Sequence, residues 1–164
     1  MQVTGASFTD TYDHAAFKPG GIAWSDGGDA YQFVKFREDV VLGHAVAVKH
    51  RFGHNDVEEA EAGRTQAANT NAGSRIGVVN VAASADEYGW VQVFGITKVL
   101  TANGTVANAR VYTTGANLNA NVRGILDDTN SASASEIKGF EFTDGRDNAT
   151  ELSPCLLTFP VAIT

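Results

Sequence analysis

The residues best suited to chemistry are four histidines, His14, His44, His50 and His54, and one cysteine, Cys155. His50 and His54 stand four apart. On a helix that spacing would put two metal ligands on one face. The local sequence KHRFGHND carries Gly53 between them and no glutamate in the position a zinc peptidase helix needs. It reads better as a strand end entering a loop. His14 adjoins Asp13 in TYDHAA, but neighbouring side chains make no acid–base relay unless a fold brings further partners to them. His44 lies in an alternating run. Cys155 lies in the apolar run PCLLTF, whereas a reactive thiol requires an exposed, cationic setting.

Asp127-Asp128-Thr129-Asn130 and Asp144-Gly145-Arg146-Asp147-Asn148 are rich in oxygen ligands. Neither has the alternating donors, central glycine and closing glutamate of a calcium loop. They read as turns, as does Asp26-Gly27-Gly28-Asp29, because Asp, Asn and Gly tolerate tight-turn dihedrals. No phosphate-cradling glycine loop, nucleophile elbow or C-x-x-C pair is present. The triplets at Asn103 and Asn148 match a glycosylation acceptor only by chance in a chain without a secretory signal. The residues therefore lead us to expect no catalytic residue, no cofactor and no metal.

The elements that carry these residues follow from composition. The chain has 164 residues, 17 of them glycine, and a net charge of −7. A domain of this length buries about 70% of its unfolded surface, so it needs no metal or disulfide staple. The acidic balance and the lack of a basic stripe argue against nucleic acid; Lys49-His50-Arg51 is too small a cluster to reverse it. No stretch approaches the ~20 apolar residues that span a bilayer. No basic-then-apolar start marks a signal peptide. The expectation is a protein folded in a reducing cytoplasm, with no membrane contact.

Periodicity of two dominates. AYQFVKF (30–36), DVVLGHAVAV (39–48), RIGVVNVAA (75–83) and YGWVQVFG (88–95) read as strands, with Gly43 marking a bulge or a close backbone approach. In the last of them both faces are apolar, so both need cover: the barrel interior on one side, and an arm, a loop or a second chain on the other. Asn103-Gly104 between alternating runs over 96–114 predicts a type I′ hairpin that sets Val99 and Thr101 opposite Val106. RGILDD (123–128) and IKGFEF (137–142) follow as strands. Pro154 and Pro160 push 154–163 toward an edge strand or terminal arm, since proline cannot donate to a ladder. Asp56 with Glu59 resembles a helix cap, and Gly63 a stop. The resulting expectation is an all-β, single-domain barrel or sandwich of about eight or nine short strands. An N-terminal arm or irregular cover spans 1–25. The body spans 26–153 with a long polar loop at 53–73, and an extended apolar segment spans 154–164.

GGDAYQFVKFREDVVLGHAVAV, then GVVNVAASADEYGWVQVFGITKVLTANGTVANARVYTT, then GILDD together resemble small structural proteins of tailed bacteriophages. These are the head decoration, or cement, proteins. The resemblance spans roughly residues 20 to 145; the terminal arm and the loop at 53–73 have no counterpart. It implies a β-rich viral protein, assembled in the host cytoplasm and located on the capsid surface of the virion. Its partner would be the major capsid protein. It would be a homo-oligomer, with a trimer favoured, and it would stabilise the head by bridging capsid subunits. Trp24, Phe17, Tyr88, Trp90, Leu156 and Phe159 are then the candidate interface residues, because aromatic and large apolar side chains anchor interfaces. For Trp90, and for Phe94, core packing competes with that role. A tail or head-fibre component, or a small-ligand or glycan-binding barrel, is the alternative reading. For the glycan reading, Phe52 is the only aromatic near the long loop.

Overall fold

The structure is a computed structural model of the chain and describes residues 6–52, 58–65, 73–102, 104–114, 123–131, 133–145 and 152–163. Ten strands follow one another: β1 (Ile22–Trp24), β2 (Ala30–Phe36), β3 (Ala45–Phe52), β4 (Glu58–Arg64), β5 (Arg75–Val79), β6 (Tyr88–Leu100), β7 (Val111–Thr113), β8 (Leu126–Asp127), β9 (Glu136–Phe142) and β10 (Leu152–Ile163). They form one sheet in the order β1-β2-β4-β3-β5-β6-β10-β9-β7-β8, with an additional pairing of β2 to β6. That pairing closes β2, β4, β3, β5 and β6 into a ring. All its ladders are antiparallel except β2–β4. The all-β, single-domain architecture expected from periodicity is thus observed.

Alternation explains what each face covers. Val34 and Phe36, Val46 and Val48, Ala60 and Ala62, Val79, Val91 and Val93 fill the ring. The intervening residues of β3 and β5, namely Ala45, Ala47, Ile76 and Val78, face outward into a second core. The second half of the sheet closes over it with Val99, Val111, Leu126, Ile137, Phe142, Cys155 and Leu157. Strands buried on both faces read as continuous apolar runs, which is why AVAV and IGVV look as they do. The far half curls back toward β6: Thr101 bridges Leu126, and the Ala102 amide donates to the Leu126 carbonyl at 2.8 Å. The 13-residue β6 therefore serves both halves.

Four expectations are corrected. Residues 58–64 are a strand, not a turn of helix (Asp56 itself lies outside the described residues). Ala60 and Ala62 both point into the ring with no exposure, a period of two that a helix cannot satisfy. Asn103 lies outside the described residues, but the described flanks of the expected Asn103-Gly104 hairpin do not pair with each other. Val99 pairs with Ser153 of β10 and Thr101 with Leu126, so β7 pairs instead with β8 and β9. Val106 is left 60% exposed. The strand expected over 123–128 is only Leu126–Asp127, and Gly124 turns with φ +84°. Finally, 152–163 is an interior strand between β6 and β9. Pro154 sits opposite Lys98 in the β6 ladder, and its carbonyl accepts the Thr143 amide at 3.0 Å. It precedes the first β9 pair, Cys155↔Phe142, and Pro160 falls inside the register shift between Leu157 and Val161.

Candidate functional site

Two aromatic clusters divide five of the six candidate interface residues between them, and Leu156 borders the second. The first cluster answers what covers the outer face of β6. Trp90 is 1% exposed. Phe33 lies at 5.0 Å from it between ring centroids, Phe17 at 5.2 Å and Phe8 at 5.3 Å. Tyr12 and Phe17 meet edge-on at 5.8 Å, and Tyr88 stacks near Phe33 at 6.0 Å. The N-terminal residues are stitched down by reciprocal bonds of 2.8 Å between the Tyr12 and Tyr88 backbones. Phe17, Tyr88 and Trp90 thus pack within the chain, under its own arm.

The second cluster lies at the mouth of the ring and reaches solvent. Trp24 stands 5.4 Å from Phe94 and 6.1 Å from Phe159, and those two are 5.3 Å apart. The Arg75 guanidinium lies 5.5 Å over the Phe159 ring. Trp24 is 40% exposed and Ile96, one step along β6 on the outward face, 72%. Ile96 pairs across to Leu156, which is half-buried. Trp24, Phe94 and Phe159 thus form one aromatic cluster, and the Ile96–Leu156 cross-strand pair lies two residues along β6 from Phe94. The cluster adjoins β1, which ends the strand order of the sheet.

Local structure aims these side chains. The turn between β1 and β2 is built from Ser25, Asp26, Gly27, Gly28 and Asp29, closed by the Asp29 amide donating to Ser25 Oγ at 3.1 Å. It sets Trp24 beside Ala30, which pairs with Phe94. In β6 the chain kinks at Gly95, φ +99°, where any Cβ would overlap the Asp29 carboxylate. The buried Gln92 amide clasps the kink, donating to the carbonyls of Phe94 at 3.2 Å and Ile96 at 3.1 Å. Asn80 donates to Gln92 Oε1 at 3.0 Å. In β10, Phe159 adopts φ +52°, a left-handed conformation that a bulky residue takes only at an energetic cost. Gly139 across the strand, φ +76°, leaves room for this bulge, since a Cβ there would come within 2.8 Å of the Thr158 carbonyl oxygen. Ile96 and the Gln92 clasp were not among the sequence candidates. Their signal was the outward parity of Ile96 and a glutamine in an otherwise apolar run.

The remaining chemistry-capable residues scatter. His14 and Asp13 form an exposed pair at 2.5 Å, which holds the Asp13 carboxyl below its usual range. His50 lies in β3 and contacts Gln32 at 3.2 Å; His54 lies outside the described residues. Asp127 Oδ1 accepts the Asp128 and Thr129 amides at 2.8 and 3.2 Å, a turn stabilised by its own side chain. Burial pushes the Cys155 thiol up to about 12, so it is neutral and inert at physiological pH. Among the described residues no group of three or more His, Cys, Asp or Glu is placed to hold a metal ion, and no helix is long and apolar enough to cross a membrane. No protein-family model and no curated protein matches this chain.

Proposed function

We propose that the protein is a non-enzymatic docking module that decorates the outside of a tailed-phage capsid, bridging major capsid subunits as a homo-oligomer. The observation that carries the docking part of this reading is the Trp24–Phe94–Phe159 cluster with Ile96 and Leu156. A rigid aromatic surface sits beside a sheet end and is held by a strained residue and a buried clasp. Backbone strain persists only where the surroundings over-determine it, and it concentrates at sites that bind. Aromatic anchors on a pre-organised frame lose little entropy on association. An oligomer engaging several subunits multiplies a weak contact into avidity. The capsid itself enters through the resemblance of 27–48, 77–114 and 124–128 to phage decoration proteins.

The test is to image particles carrying a labelled copy of the protein. Occupancy over the whole head lattice is the expected result. Label confined to a single vertex or to the tail would turn the reading toward a fibre or tail component.

A further inference from the structure

A second surface, on the outer face of β3 and β4 and distant in kind from the aromatic one, has the opposite character. An open cleft of about 350 Å³ is floored by Ala47, at the edge of the second core, and by its cross-strand partner Gly63. Two carboxylates stand in its wall, and each is bracketed by two cations. Glu38 takes Arg64 Nε on Oε2 at 3.0 Å and Arg123 on Oε1 at 2.9 Å, and accepts the Arg64 amide at 3.0 Å. Glu61 pairs with Arg37 at 3.4 Å and lies opposite Lys49 in the β3–β4 ladder. Four of the chain's 12 basic residues and two of its 19 acidic ones thus meet here. The described residues lining the cleft sum to +2 on a chain of net −7.

We infer that this cleft binds carboxylate side chains of an extended acidic segment from a partner protein. Among the described lining residues four cations meet two carboxylates, so positive charge is in excess there. Arg37, 47% exposed, and Arg123, 34% exposed, are both partly open to solvent. Guanidinium groups match carboxylates in a two-point fork. The glutamates fix the arginines before a ligand arrives, so little side-chain entropy is lost on binding. The small residues of the floor, Ala47 and Gly63, leave room in the cleft for an extended backbone. The sign of the cleft, reversed against the molecule, selects acidic partners and repels basic ones. The inference does not depend on capsid decoration.

The probe is an N-acetylated, C-amidated tetraglutamate peptide titrated into the full chain and followed by amide NMR shifts at low ionic strength. Capped tetraglutamine and inorganic phosphate form parallel arms. Saturable shifts over 37–38, 47–49, 61–64 and 123 are expected with tetraglutamate, weakening as salt is added. The Arg37→Ala/Lys49→Ala double variant should bind at least about tenfold more weakly. Glu61→Gln, which removes a negative charge from the wall, should bind more tightly, a gain that misfolding cannot produce. Absence of saturation, unchanged binding by the double variant, weaker binding by Glu61→Gln, or phosphate binding as tight as the peptide would each overturn it.

Discussion

Gly43 and His44 show how single residues set the junction between the two halves. Gly43 has φ +83°, and a Cβ there would collide with Leu152 while touching Leu100 at 3.2 Å. Gly43→Ala combines a left-handed penalty with overpacking and should destabilise by roughly 2–4 kcal/mol, read as a lower urea midpoint at unchanged slope. His44 is buried next to it, its Nδ1 accepting the Val41 amide at 3.2 Å and its ring lying against Gly124. Burial lowers its pKa first, Arg64 adds to that, and Glu38 opposes. The unfolded chain therefore takes up the proton first as pH falls below about 6.5. The contribution of neutral His44 is complete above that pH and is lost as pH drops through it toward the folded-state value. His44→Asn keeps an acceptor for Val41 but cannot titrate. Between pH 7 and pH 5 its melting temperature should fall less than that of the wild type. Equal slopes would remove His44 from the account. The close approach at Gly43 was legible from a glycine inside a valine run; the strain at Phe159 was not, because no residue type announces it.

At the scale of elements, strands with β-branched and aromatic residues were legible and those held only by context were not. β4, EEAEAGR, has poor strand-forming residues and pairs because β2 and β3 supply both neighbours. β10 was hidden by two prolines, one paired opposite Lys98 and one inside the register shift between Leu157 and Val161. The Asn103-Gly104 signal was local, and the neighbours of β6 in space overrode it. The outer face of 88–94 could have been covered by several things; the structure covers it with residues 6–24. Phe8, Tyr12 and Phe17 pack on the Phe33–Trp90 layer. Deleting residues 1–20 should therefore cost at least about 3 kcal/mol of stability and shift Trp90 fluorescence to the red, before any effect on docking is considered. An unchanged melting temperature would show that the arm covers nothing essential.

At the scale of the whole molecule, a closed frame presents two unlike surfaces: an aromatic one around Trp24 and Phe159, and a cationic cleft around Glu38 and Glu61. The first carries the proposed function; of the six residues expected at an interface, Trp24 and Phe159 form it and Leu156 pairs with the neighbouring Ile96. Ile96→Lys places a charge beside this surface without touching the core, whereas Val106→Lys alters another well-exposed apolar position elsewhere. The most direct measurement is quantitative co-sedimentation of both variants and the wild type with phage heads that lack the protein. The account predicts wild-type saturation at a fixed ratio to the major capsid subunit, an affinity loss of about tenfold or more for Ile96→Lys, and no loss for Val106→Lys. Wild-type protein left in the supernatant, or Ile96→Lys binding as well as the wild type, would contradict it.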